Sequence, residues 1–108
     1  MNTEATHCIV LTTTASEEEA ERLALQIVDA RLGACVQVHA LKSVYRWEGE
    51  VCAEAEWQLA IKTPQARFDA LAQFIAAHHG YETPEIVQIP ITAGSAAYLR
   101  WVDEQTRD

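Results

Sequence analysis

The chain has 108 residues, 49% of them apolar and 22% charged, with a formal net charge of −8. That length fits one hydrophobic core with no room for a second, and the composition is that of a folded chain, not a disordered one. The negative charge repels phosphate backbones and excludes nucleic acid as a partner, while cations and basic partners are attracted without specificity.

No apolar stretch approaches the roughly 18 residues that suggest a membrane span, so no membrane partner is expected. Segment 1–6 is polar and carries Glu4 where a secretory signal needs a basic start. Cys8, Cys35 and Cys52 are odd in number and lack CxxC spacing, which argues against a disulfide framework or a zinc ribbon. A cytoplasmic location is expected.

Residues 8–14 are rich in β-branched side chains and read as a buried first strand. Ser16 followed by Glu19 is a capping-box signature, in which hydroxyl and carboxylate each satisfy an orphan backbone donor. The helix it opens has an acidic first turn, 17–19, and one apolar stripe of Ala20, Leu23, Ala24, Ile27 and Val28 that stops near Gly33. From 34 to 63 the period becomes two, with Glu48 and Gly49 as the turn of a long hairpin. Simple register sets Val36 opposite Ile61, Val38 opposite Leu59, Ala40 opposite Trp57 and Val44 opposite Ala53. The other face is polar at one end (Gln37, His39, Glu56, Gln58) and aromatic near the turn (Tyr45, Trp47). Strands of about 14 residues span roughly 45 Å and a helix of this size only about 25 Å, so the helices cannot cover the hairpin.

After Pro64, the stripe Phe68, Leu71, Ala72 and Ile75 predicts a second helix that ends around His78, with Gly80 as its stop. Residues 85–91 read as a short fourth strand, at an edge because Pro90 cannot donate to a ladder. Residues 98–104 read as a short C-terminal helix. The order βαββαβ is an α+β, ferredoxin-like antiparallel sheet with a long hairpin between its second and third strands. One domain over 1–108 is expected, with 1–6 flexible and 104–108 frayed.

The fold leaves function open. The loop 12–16 holds neither the paired thiolates of a copper chaperone nor the cation of an acylphosphatase. The open sheet face lacks the central aromatics of an RNA reader. Glu54 with Glu56 and Glu82 with Glu85 read as solvated carboxylates, and with no catalytic residue identified the chain is not read as an enzyme. Cys35, His78 and His79 are candidate metal ligands; the competing readings are a small core thiol and histidines at a helix C-terminal dipole. Tyr45, Trp47 and Trp101 offer large apolar area with a polar handle and read as interface residues, covered by another copy of the chain.

The segments 32–36 (LGACV), 43–49 (SVYRWEG), 61–63 (IKT), 79–85 (HGYETPE) and 98–101 (YLRW) together resemble the CutA family of divalent-cation-tolerance proteins. The resemblance covers about residues 8–103. It implies a stable homotrimer related in architecture to PII-type signalling proteins, with interlocking hairpins and clefts between subunits, and a role in tolerance of divalent cations, copper above all. By position it implies Cys35 and His79 as ligands of Cu(II) or another divalent cation, none being required as a cofactor. Lys62, Tyr81, Glu82 and Glu85 become the residues of the intersubunit cleft. Gly80 stands where the motif has proline, and Thr12 where some bacterial members have a further cysteine. Two expectations follow: a cation-responsive trimer that binds Cu(II) weakly, or a PII-like scaffold whose cleft takes a small anionic metabolite or partner peptide through Lys62 beside Tyr81.

Overall fold

In the computed structural model, which describes residues 5–108, the chain runs β1 (His7–Thr14), α1 (Glu17–Asp29), β2 (Cys35–Trp47), β3 (Glu50–Pro64), a one-turn helix, α2 (Phe68–His78), β4 (Val87–Ile91) and α3 (Ala96–Thr106). The strands form one antiparallel sheet in the order β2-β3-β1-β4, the ferredoxin-like arrangement expected. Of the segment 1–6, residues 1–4 lie outside the described residues; the Thr6 carbonyl accepts from the Gln65 N–H at 2.8 Å.

The hairpin register follows the alternation of the sequence: all four expected pairs, from Val36 with Ile61 to Val44 with Ala53, stand opposite each other. Glu48 and Gly49 have φ of 50° and 83°, the two left-handed residues of a type I′ turn whose twist matches the flanking strands. β4 is shorter than expected, because Glu85 and Ile86 stay outside the ladder, and it pairs with β1 alone. Pro90 is therefore tolerated on an edge.

One face of the sheet carries the core, in which Cys8, Val10, Leu59 and Ile61 pack with Ala20, Leu23, Ile27, Leu71 and Ile75 of α1 and α2. Two expectations for α1 change. Ser16 Oγ accepts from the Glu19 N–H at 3.1 Å as predicted, but the Glu19 carboxylate does not return to the cap; its Oε2 accepts from the Gly80 N–H at 3.2 Å. The stripe also ends earlier, leaving Val28 43% exposed. Arg31, at φ 61°, terminates the helix, with its N–H bonded to the Val28 carbonyl and that of Leu32 to the Ile27 carbonyl, the bond pair of a Schellman end. Gly33 serves a close approach instead: a Cβ there would lie 2.6 Å from Ile61 Cγ2.

The opposite face is partly covered by α3, where His7 Nε2 meets Asp103 Oδ1 at 2.8 Å and Val102 and Thr106 are buried. α3 starts two residues before and ends two residues after the expected 98–104. Ser95 caps its start through the Tyr98 N–H. At its end, Arg67 and Arg31 donate to the Thr106 and Gln105 carbonyls at 2.6 and 3.2 Å, placing positive charge at the negative end of the helix dipole. α3 thus continues through Thr106, into the segment 104–108.

The hairpin tip lies beyond both layers. Val44 and Val51 are each 68% exposed on the core-side face and Trp47 is 44% exposed on the other. The radius of gyration, 14.6 Å, exceeds the roughly 13 Å of a compact domain of this length.

Thr12 is fully buried with its hydroxyl unpaired, and an unmade bond of this kind costs about 1–3 kcal/mol. Thr12→Val keeps the shape and removes the orphan, so the unfolding free energy measured by denaturant titration rises by about 1 kcal/mol. An unchanged or lower value contradicts this reading.

Candidate functional site

Where the hairpin leaves the helices, its α3-side face and the loop 79–85 enclose a cleft of about 740 Å³. Glu54 and Glu56 sit on this face by strand alternation, paired across the hairpin with Ser43 and Leu41. Tyr81 reaches across from the loop and donates its hydroxyl to Glu56 Oε2 at 2.6 Å, and Tyr45 donates to Glu54 Oε1. Glu56 is only 7% exposed, which corrects the expectation of a solvated carboxylate. The reason is Tyr81, whose ring and hydroxyl come from 25 residues away. Glu82 and Glu85 line the same cleft and stay exposed.

The loop is held by polar bonds to three elements. His79 Nδ1 accepts from the Tyr81 N–H at 3.0 Å, so its Nε2 carries the hydrogen and donates to the Thr13 carbonyl of β1 at 2.6 Å. Glu19 of α1 takes the Gly80 N–H, a bond that proline at this position could not make. Tyr81 adds the link to β3 through Glu56. His78, by contrast, is exposed, stacked on Phe74 and bonded to the carbonyl of that residue at 2.8 Å.

Two expected neighbours are not brought together within the chain. Lys62 lies six residues along β3 from Glu56, roughly 20 Å away, and its Nζ donates to Gln37 at 2.6 Å; it is not beside Tyr81. Cys35 stands opposite Lys62, and Lys62 opposite Ile9 of β1, whereas His79 is bonded at Thr13. Cys35 and His79 are thus separated by roughly 13 Å along the strands and about 10 Å across them. Among the described residues no three His, Cys, Asp or Glu side chains converge to hold a metal ion, and both nitrogens of His79 are already bonded. The described residues of the single chain do not by themselves fit a copper ion. Cys8, Cys35 and Cys52 are all unpaired. Of the expected interface residues, Tyr45 is 37%, Trp47 44% and Trp101 38% exposed, Trp101 lying against Tyr98.

A ferredoxin-like sheet with an overlong hairpin, a third helix on its second face and an acidic, aromatic cleft beside the loop 79–85 defines the class. The family model for the CutA1 divalent ion tolerance protein matches residues 8–105. The chain belongs to that family. It is 44% identical over 99 residues to the divalent-cation tolerance protein CutA of Thermus thermophilus, spanning 91% of this chain and 96% of that one. It is 41% identical over 101 residues to the chloroplastic CutA 1 of Oryza sativa, covering 93% of this chain but 57% of the rice protein; the chain thus spans little more than half the length of its plant relatives. Its fold superposes on the structure of the periplasmic divalent cation tolerance protein CutA from Archaeoglobus fulgidus with a TM-score of 0.92 at 37% identity, over 94% of this chain and 99% of that one.

All three tyrosines titrate above their ordinary range. In Tyr81 the main cause is burial, followed by the bond to Glu56 and its charge. In Tyr45 the bond to Glu54 leads and raises the hydroxyl to about 12. In Tyr98 burial leads, with the Cys35 thiol beside it. A proton held more tightly in the folded state stabilises below the unfolded value near 10, and that contribution is lost as pH rises through the folded values. At about pH 10.5 the native protein therefore shows little tyrosinate absorbance while the denatured chain is mostly ionised. A native midpoint near 10 contradicts the bonding described for the cleft.

Proposed function

We propose that this chain acts as a non-enzymatic homotrimer in divalent-cation tolerance, binding Cu(II) weakly at a site completed between copies. One observation carries the reading: the hairpin tip, with Val44, Tyr45, Trp47 and Val51 in water, is the surface that interlocked copies bury. Trp101, exposed on α3, adds a second apolar contact. The acidic chain concentrates cations near its surface. Cys35 is half-buried on the edge strand β2, where a thiolate can meet a ligand from a neighbouring copy, and soft sulfur suits copper. His79 joins such a site only by giving up its bond to Thr13 or to Tyr81. Three free cysteines support a reducing compartment, the cytoplasm, for this chain.

Calorimetric titration with Cu(II) tests the site. The wild type binds saturably, Cys35→Ala loses most of that binding, and His79→Ala changes it less while loosening the loop. Equal affinity in the wild type and in the Cys35→Ala, His79→Ala double variant overturns the assignment.

The volume of the cleft favours a second reading, a PII-like scaffold that holds a small ligand, since about 740 Å³ lies within the roughly 300–1,000 Å³ of small-molecule sites. Lys62, the cation expected to hold an anionic ligand there, is engaged with Gln37.

A further inference from the structure

Strand alternation sorts the charges of the hairpin by face. Beyond the helices, the core-side face holds Lys42 opposite Ala55, Val44 opposite Ala53 and Arg46 opposite Val51, and all of these are exposed. Its only charges are positive. Among the described residues Lys42 forms no ion pair, and Arg46 reaches only the Gly49 carbonyl of its own turn, at 3.4 Å. The other face of the same stretch holds Trp47 opposite Glu50, Tyr45 opposite Cys52 and Ser43 opposite Glu54. Its only charges are negative, and no Lys or Arg lines the cleft beside it.

The spacing of the two charge sets matches. Lys42 and Arg46 are four residues apart along β2 and Glu50 and Glu54 four apart along β3, so each pair spans roughly 13 Å. Packed sheets lie about 10 Å apart, a gap that long cationic side chains reach across. Two hairpins laid front to back therefore set both cations over both carboxylates, while Val44 and Val51 meet Tyr45 and Trp47. A twofold contact, front to front or back to back, instead places like charges together. Copies that each carry a net charge of −8 also repel one another at long range, and cations offset that repulsion best where the copies touch.

We infer that the assembly joins unlike faces: the Lys42, Val44 and Arg46 face of one hairpin seats on the Glu50 and Glu54 face of the next copy's hairpin. A contact between unlike faces is heterologous, and repeated by rotation it closes a ring. Arg46 brings a planar fork of donors that matches a carboxylate, and Tyr45 and Trp47 offer ring faces that attract a cation within about 6 Å. The same contact covers Tyr45, Trp47 and Glu54, which line the cleft, so each cleft is completed by the neighbouring copy. The inference rests on the homotrimer reading and adds which surfaces meet and what makes them unlike.

Sedimentation equilibrium of the full chain over a dilution series, at low and at high salt, tests it. The wild type is expected as a trimer that dissociates at higher concentration when salt is raised. Lys42→Glu, Arg46→Glu makes both faces negative and raises the concentration of half-dissociation by at least about tenfold, within what like charges placed opposite each other cost. Adding Glu50→Lys, Glu54→Lys to that same chain exchanges the two faces and restores assembly. Lys42→Gln, Arg46→Gln, which removes charge without reversing it, weakens assembly less and carries the test should the reversed chain fail to fold. Assembly of both the reversed and the carboxamide variants at wild-type strength, or no recovery in the combined variant, overturns the inference and leaves the homotrimer standing. A wild type that sediments as a dimer overturns it in favour of a twofold contact, and a stable single wild-type chain overturns the homotrimer reading and the inference together.

Discussion

Two paired strands of 13 and 15 residues rise about 3.3 Å per residue, while the helices meant to cover them, 13 and 11 residues long, rise about 1.5 Å. That mismatch of pitch governs the molecule. The half of the hairpin near Val36, Leu59 and Ile61 closes the core with α1 and α2, and beyond Trp57 no helix follows. Apolar surface left in water forgoes roughly 25 cal/mol per Å², and at the tip it lies on both faces, with Val44 and Val51 on one and Trp47 on the other. The sheet edges β2 and β4 add unpaired backbone donors and acceptors. Such a surface is the ground on which assembly with other copies is proposed.

The same extension creates the cleft. Only because β3 continues past the helices can Glu54 and Glu56 face the loop that leaves α2. That loop is fastened by several polar bonds: Glu19 to Gly80, His79 to Thr13 and to Tyr81, and Tyr81 to Glu56. Polar fastening of this kind is directional, and it consumes the donors that would otherwise favour anions. The α3-side face of the sheet is thereby divided, with Lys62, Cys35 and Tyr98 at one end and carboxylates at the other.

Local pattern announced much of this. Alternation and an Glu-Gly turn set the hairpin and its register to the residue, and the ferredoxin-like order followed from the sequence of periods. Errors arose where a distant partner overrode a local rule. Gly33 looked like the end of α1, but Arg31 takes the left-handed position, where its side chain also reaches the Gln105 carbonyl 74 residues away. Glu19 completed a capping box on paper and instead holds Gly80. Val28 fell on the apolar stripe by spacing, yet within α1 it stays outside the core, 43% exposed. The cleft was half legible: Tyr81, Glu82 and Glu85 were found in a family motif, whereas burial of Glu56 depends on a tyrosine 25 residues on, and Lys62, expected in a cleft between copies, lies roughly 20 Å along β3 from Glu56 within one chain. A motif names residues that matter without saying how far apart a strand holds them.

Sedimentation equilibrium of the purified chain at micromolar concentration tests the central claim most directly. If sister copies shelter the hairpin, the protein sediments at three times the 12.0 kDa chain mass, with no appreciable smaller species. A stable single chain at 12.0 kDa, folded with its hairpin tip in water, contradicts the account.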